Sequence, residues 1–442
     1  MNLPELFKTR MKSLLGEAYA AFESALHESA PVSVRLNDKI PEYIASDDRV
    51  EWCDTGYYLP ERPLFTADPL LHAGVYYVQE ASSMFLQQII DRCFPVAERV
   101  LDLCAAPGGK STLLRQSLPD NCLLVSNEIN YSRSMILAEN LVKWGGPNVI
   151  VTNNNPADFR RLPSCFDAIV IDAPCSGEGM FRKDPGAIEE WSIDNVNKCV
   201  VRQRNILEEV WPALQTGGIL VYSTCTWNRE ENEENIAWIC ETMGAERVLL
   251  NTETWPGIVE TDQGYRFYPH RVRGEGFFVS VLRKTSNEQQ VFKPKSDTRQ
   301  WRADKSGNFE KGLTGIEDPV ILERNDQLKA FSNRHLTTSL YIDQQLNCIE
   351  NGLLLATRKG KDLIPAHALA LSKQLNRNQY ECIEVDYPTA ISFLKRENLL
   401  LPDAPKGYLL ICYKNQALGW VKNLGNRCNN LYPQHWRIRM KL

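Results

Sequence analysis

The stretch Val100-Leu101-Asp102-Leu103-Cys104-Ala105-Ala106-Pro107-Gly108-Gly109-Lys110-Ser111-Thr112 constrains this chain more than any other. An apolar run over 99–103 breaks at Pro107-Gly108-Gly109, and a helical pattern starts at Lys110. The spacing predicts a buried strand, a tight glycine turn and a helix N-terminus. Glycine lets backbone approach a ligand closely, and the first N–H groups of a helix point at whatever sits there. The turn is too short for a Walker phosphate loop and lacks the third glycine of the dinucleotide fingerprint. It points to a nucleoside-type ligand beyond the carboxyl end of the strand. A plain strand–turn–helix connection packed with small residues is the competing reading.

The surrounding pattern favours the ligand. Apolar strand candidates recur at 99–103, 122–126, 148–152, 167–172, 217–223 and 277–283, separated by helical segments. Such alternation predicts an α/β fold with a parallel, doubly wound sheet covered on both faces. Ligands of these sheets bind beyond the carboxyl ends of the strands. Beyond the glycine turn of the first, four consecutive strand ends carry candidate groups there. The second has Glu128, an acid 18 positions after Lys110, suited to gripping two ribose hydroxyls. The third has Asn155, able to hydrogen-bond a base edge. After the fourth stands Asp172-Ala173-Pro174-Cys175-Ser176-Gly177, and after the next Tyr222-Ser223-Thr224-Cys225-Thr226. Most of the 13 cysteines, Cys104, Cys122 and Cys240 among them, read as small buried hydrophobes. Cys175 and Cys225 differ because both lie at the ligand edge, where a thiolate is the nucleophile that attack on an electron-poor pyrimidine requires.

The rest of the 442 residues allows two to four domains. Residues 1 to about 30 read as a helix and 32–37 as a strand, within a small α+β domain over 1–70. The core domain is expected over 71–285, a linker over 286–315, and a second region over 316–442. Tyr408–Tyr413 and Ala417–Val421 read there as a small β unit. The cysteines include no Cys-x-x-Cys pair, which argues against a zinc site or disulfide framework and for a reducing compartment. No signal peptide or membrane span is visible, so a cytoplasmic chain is expected, with no membrane partner. Net charge is −5 but unevenly spread: 23 Lys and Arg against 15 acids after residue 290, and 27 against 40 before it. The basic C-terminal part therefore suits a polyanion. The tail 432–441 mixes aromatics with cations and reads either as an RNA-contacting surface or as an edge strand with solubilising charges. Arg35 and Asn37 read as solvated strand-edge residues or nucleic-acid contacts. Phe181-Arg182-Lys183 reads as a solvated loop, Glu230 to Glu234 as an exposed helix start, and His270 as structural. Glu128 and Asp172 have a plainer alternative as helix caps.

Taken together, Tyr77-Val78-Gln79-Glu80-Ala81-Ser82-Ser83, Asp102 to Ser111, Asp172-Ala173-Pro174-Cys175-Ser176-Gly177-Glu178-Gly179 and Ser223-Thr224-Cys225-Thr226 carry a resemblance. The chain resembles the Sun-type (NSUN-like) RNA cytosine-5 methyltransferases, most closely the bacterial RsmF-like enzymes acting on small-subunit ribosomal RNA. Leu418-Gly419-Trp420 and Asn430-Leu431-Tyr432-Pro433 are similar to the PUA-like extension of those members. The resemblance implies a Rossmann-like class I methyltransferase sheet between an N-terminal RNA-binding domain and a C-terminal PUA-like β-rich extension. It implies S-adenosylmethionine as cofactor and no metal. Cys104, Ala105, Ala106, Pro107, Gly108, Gly109 and Lys110 would wrap the methionine part, Glu128 the ribose and Asn155 the adenine, where the family often has an acid. Arg133 and Asp172 are further cofactor-side candidates. Cys225 would be the nucleophile, Asp172 would bond the ring nitrogen with Lys110 assisting, and Cys175 would promote product release. RNA is the implied partner, ribosomal or transfer, and the chain is expected to act as a monomer. Three other functions compete. A non-catalytic RNA-binding assembly factor would need neither cysteine. A nicotinamide oxidoreductase would need the missing glycine. An amino-group methyltransferase would need an aromatic after Pro174.

Overall fold

The computed structural model describes residues 2–38, 47–286, 291–295, 297–304, 309–316 and 318–440. The helix expected over 1–30 is two helices, Glu5–Leu15 and Tyr19–His27, parted at Gly16, whose φ of +55° a helix interior cannot hold. Their apolar faces meet Phe181, Trp191, Trp227 and Tyr268 of the core domain. Strands β1 (Val32–Leu36), β2 (Gly56–Leu59) and β3 (Tyr76–Val78) form an antiparallel sheet in the order β2-β1-β3. β3 lies beyond residue 70, so the N-terminal sheet draws its third strand from the far side of the expected boundary.

The central sheet is built from β4 (Arg99–Asp102), β5 (Leu123–Asn127), β6 (Val149–Thr152), β7 (Phe166–Asp172) and β8 (Leu214–Thr224), which run parallel in the order β8-β7-β4-β5-β6. Alternate residues along each strand enter different cores. Val100, Leu124 and Val170 pack under the helices Leu86–Cys93 and Gly109–Ser117, while Leu101, Val125 and Ile169 pack with Phe159 and Leu207. Burial on both faces is why these strands read as near-continuous apolar runs.

One expectation is corrected. The chain after β8 adds β9 (Ala245–Arg247), β10 (Val259–Glu260), β11 (Tyr265–Phe267) and β12 (Phe277–Lys284), and β12, expected to be parallel, runs antiparallel to β8. It is antiparallel to its other neighbour as well, β11, to which a short loop joins it.

The stretch expected as a linker, 286–315, falls partly outside the described residues, at 287–290, 296 and 305–308. Within it β13 (Arg302–Ala303) pairs with β14 (Pro319–Arg324), which continues through β15 (Gln327–Ser332) into a five-stranded sheet. β16 (Cys348–Asn351) leaves that region and covers the open β6 edge of the central sheet, which thereby reaches ten strands among the described residues. β17 (Leu353–Lys359) and β18 (Asp362–Pro365) complete the five-stranded sheet.

The expected β unit is the hairpin β20–β21, within β19 (Cys382–Glu384), β20 (Gly407–Tyr413), β21 (Gln416–Asn423) and β22 (Cys428–Asn430). Its turn residues Lys414 and Asn415 both have positive φ, as a two-residue hairpin turn requires. Leu409, Ile411 and Leu418 share one core with Val34, Tyr57 and Leu70, so the two ends of the chain pack on each other. The tail is neither a strand nor wholly exposed. Tyr432 and Ile438 insert into this shared core, while Arg437 and Arg439 stay in solvent and Lys441 lies outside the described residues. No helix among the described residues is long and apolar enough to cross a membrane.

Candidate active site

Register brings the two cysteine loops together. Asp172 and Ser223 are paired at the carboxyl ends of β7 and β8, and the Ala173 N–H donates to the Ser223 carbonyl at 2.8 Å. Loops that leave from paired positions travel side by side, so Cys175 and Cys225 meet with their Sγ atoms 2.9 Å apart. The Cys225 N–H also points at the Cys175 sulfur, at 3.3 Å. The hydrogen bond with Cys225, and then burial, push the Cys175 thiol well above the ordinary cysteine range. Gly179 lets the loops close: its N–H donates to the Cys225 carbonyl at 2.7 Å, at a distance where a side chain would not fit.

Lys110 and Asp172 stand beside the thiols. Lys110 Nζ lies 2.8 Å from Asp172 Oδ2, and the Ser223 hydroxyl donates to Asp172 Oδ1 at 2.8 Å. Burial disfavours the Lys110 charge, but Asp172 outweighs it and holds the ammonium above its ordinary pKa. Asp172 therefore does not cap a helix; its carboxylate is spoken for by a lysine and a hydroxyl.

The glycine turn is held open on the same sheet edge. Gly108, at φ +118°, precedes the helix Gly109–Ser117, as the motif predicts. Arg133 Nη2 donates to the Ala106 carbonyl at 2.8 Å, and Asn140 Nδ2 to the Pro107 carbonyl at 2.8 Å. Asp102, fully buried below the turn, accepts from the Ser111 hydroxyl at 2.6 Å through Oδ2, while its Oδ1 has no donor among the described residues. Burial pushes its carboxyl up to about 7. Glu128 is nearly buried, 3.5 Å from Arg133 Nη1, and accepts the Asn130 N–H; the helix cap proper is Asn130. Asn155 is exposed at the end of β6, and its N–H donates to Asp158 Oδ2 at 3.1 Å. The structure thus joins Lys110, Asp172, Cys175 and Cys225 in one cluster and sets Glu128 and Arg133 beside the turn; Asn155 stands at the next strand end. A separate cavity of about 220 Å³ lies toward the amino ends of β5 and β6, away from this chemistry.

Several polar residues read as solvated are structural. Arg35 is 0 % exposed; its guanidinium donates to Gln79 Oε1 at 2.9 Å and to the Thr112 hydroxyl, and stacks 4.4 Å from the Trp144 ring centroid. It braces the helix behind the glycine turn. Asn37 is buried too, donating to the carbonyls of Gly74 and Trp144. Phe181 is core, and Arg182 pairs with Glu275 at 3.0 Å in a nearly buried contact. The acidic run is a helix start, as expected, but only partly exposed: Glu234 faces solvent, whereas Glu233 pairs with Arg266 at 2.5 Å and Glu231 is 0 % exposed. Charge runs look solvated until the tertiary fold supplies donors on both sides. Sequence reasoning also passed over Asn127, whose side chain bonds Leu103, Thr152 and Asn154 and so ties three strand ends together. His270 packs edge-on against Phe22.

A parallel Rossmann-like sheet with a glycine turn, a buried acid below it and a two-thiol cluster beside it defines a methyltransferase fold. The chain belongs to the 16S rRNA methyltransferase RsmB/F family, which residues 95–283 match, and is an RNA methyltransferase. Residues 3–81 match the N-terminal domain of 16S rRNA methyltransferase RsmF, and residues 380–438 the methyltransferase RsmF PUA domain. Ribosomal RNA small subunit methyltransferase F of Citrobacter koseri is 29% identical over 98% of this chain and 96% of its own length. The protein of the same name from Escherichia coli K12 is 30% identical over 87% of this chain and 84% of its own. The crystal structure of a methyltransferase homolog protein from Pyrococcus horikoshii superimposes with a TM-score of 0.54 at 29% identity, covering 64% of this chain and 95% of that one.

Proposed function

We propose that this chain methylates carbon 5 of a cytosine in small-subunit ribosomal RNA, using S-adenosylmethionine and a covalent bond from Cys225 to carbon 6 of the ring. The 2.9 Å approach of two sulfurs from separate loops, beside the Lys110–Asp172 pair, carries the reading. The turn suits the cofactor. Asp102 Oδ1 is a buried acceptor lacking a donor, Gly108 leaves the backbone open, and Glu128 is a nearly buried carboxylate able to take two hydroxyls. The residues that would hold it are Cys104 to Lys110, Glu128, Arg133, Asn155 and Asp172. When bound, S-adenosylmethionine supplies an electrophilic methyl group.

The chain's own residues do the rest. The Cys225 thiolate adds to carbon 6, which places negative charge on the ring and makes carbon 5 nucleophilic. Asp172 bonds the ring nitrogen by relaying to it a proton from the Lys110 ammonium, which offsets that charge. Once carbon 5 has been methylated and a base has removed its proton, the bond to Cys225 breaks and Cys175 promotes release. The RNA is met by the flanking domains, in keeping with the basic C-terminal part and the PUA match.

The test separates the two thiols. Cys225→Ser is expected to abolish methyl transfer without an adduct, and Cys175→Ala to accumulate a covalent protein–RNA species on denaturing gels. An adduct with the first variant and none with the second would reverse the roles. Bisulfite sequencing of ribosomal and transfer RNA from a deletion strain identifies the substrate; loss of a transfer-RNA mark alone would sink the ribosomal reading.

A further inference from the structure

Two buried acids that the chemistry above does not use cross between the cysteine loops. Glu178, three residues after Cys175, is 1 % exposed and reaches to the Cys225 side, where its Oε2 accepts the backbone N–H of Trp227 at 2.8 Å and of Asn228 at 3.0 Å. Glu231 reaches the other way. Its Oε2 accepts the Ser176 N–H, next to Cys175, at 3.0 Å, and Gln203 Nε2 at 2.7 Å. Asn228 Nδ2 joins the two, donating to Glu231 Oε1 at 2.7 Å and Glu178 Oε1 at 3.3 Å. Trp191 Nε1 completes the set, 3.0 Å from Glu178 Oε1. Each thiol loop is thus tied by a carboxylate belonging to the other.

This arrangement is costly for folding alone. Glu230, Glu233 and Glu275 nearby each pair with an arginine, whereas Glu178 and Glu231 meet only neutral donors among the described residues. Carboxylates buried without a cation destabilise relative to apolar side chains of similar volume, so their presence points to geometry rather than stability. The geometry they set is the contact between the sulfurs. Glu231 also bears on the charge of Cys175: after the Cys225 contact and burial, it is among the groups that keep that thiol protonated. A protonated Cys175 held against Cys225 has a defined use. As the carbon 6–sulfur bond breaks, the electron pair stays on the Cys225 sulfur, and the Cys175 proton can pass to it, leaving the thiolate on Cys175.

We propose that Glu178 and Glu231 are positioning residues that fix the two thiols in contact, with Glu231 holding Cys175 as the proton donor to the departing Cys225 sulfur. The proposal rests on Cys225 being the nucleophile. Glu231→Gln puts an amide donor against Ser176, Gln203 and Asn228, so Cys175 shifts while Cys225 keeps its Glu178 anchor. Turnover on RNA is expected to fall about 10²-fold, the scale of a displacement near 1 Å. Covalent adduct should accumulate as in Cys175→Ala, with S-adenosylmethionine affinity by calorimetry unchanged. Glu178→Gln disturbs the Cys225 side and should slow turnover without accumulating adduct. Both variants should also slow diamide-driven disulfide formation between Cys175 and Cys225, read as a 2 Da mass loss on the joined peptides, which requires no methyl transfer. Glu231→Asp, if the glutamine variant is poorly folded, should restore part of the turnover. Wild-type turnover and cross-linking in Glu231→Gln would overturn the proposal, as would lost turnover in folded Glu231→Gln without adduct. If Cys175→Ala itself gave no adduct, the assignment of the thiols would fail instead.

Discussion

Gly179→Ala tests whether thiol placement depends on the close approach of two backbone segments. The methyl group would sit 2.7 Å from the Cys225 carbonyl oxygen, 2.7 Å from the Gly276 oxygen and 2.9 Å from Gly276 Cα. Ordinary contact begins near 3.4 Å, so backbone on two sides must retreat by about 0.7 Å. One of those oxygens belongs to the residue that carries the nucleophilic sulfur. Overpacking of this kind costs about 1–3 kcal/mol, which a domain can absorb while staying folded. Catalysis is less forgiving, because a misplacement near 1 Å costs about 10²-fold in rate. The expected outcome is a drop in kcat of one to two orders of magnitude, measured with labelled methyl donor at saturating RNA. Cofactor affinity should stay unchanged, since the glycine turn lies on other strands. Gly177→Ala supplies the contrast from the same loop: its φ of +76° makes alanine strained, but nothing lies within 4 Å of the added carbon. It should lower stability by about 1–2 kcal/mol and leave the sulfurs in place. Should folded Gly179→Ala keep kcat within about threefold of wild type, the claim that this contact sets the thiol geometry is wrong.

Further outcomes follow from the buried charges. Asp102 has a folded-state carboxyl pKa of about 7 against an ordinary 3.8, so the folded state holds its proton more tightly than the unfolded chain does. That contribution to stability is full below pH 4 and disappears as pH rises through about 7, an effect of up to about 4 kcal/mol. Asp102→Asn should therefore melt higher than wild type at pH 8, melt with it at pH 4, and bind S-adenosylmethionine more weakly. A melting-temperature difference independent of pH would refute the assignment. Glu233→Gln strands the buried Arg266 guanidinium and should destabilise the core domain by about 3–5 kcal/mol in denaturant unfolding, whereas Glu233→Met with Arg266→Met should recover much of that loss. Equal loss in the single and double variants would show that burial of an unpaired charge is not the cause.

How far the fold was legible depended on how local its signal is. Strand positions from 99 to 172 were readable because strands buried on both faces must be apolar along their whole length. The direction of β12 was not, because a strand's own apolar residues do not say which way it runs against its neighbour. Arg35, Glu231 and Glu233 looked like surface because a charged side chain carries no local sign of the partner that buries it. The shared core of Val34, Leu70, Leu409 and Tyr432 spans nearly the whole chain, and no short-range pattern announces contacts at such separation. The covering of the β6 edge by β16 is hidden for the same reason.

The sequence by itself determined the chemistry available: a glycine turn after a buried strand, an acid ending the next, and two cysteines at the ends of strands that must lie in one sheet. These are consequences of spacing and residue type, and spacing survives in a linear chain. The tertiary structure alone decided that the two sulfurs touch, that Lys110 claims Asp172, and that Glu178 and Glu231 cross between the loops. Those are matters of tenths of an ångström between residues about 50 positions or more apart, and the β4–β7 and β7–β8 registers convert such separation into contact.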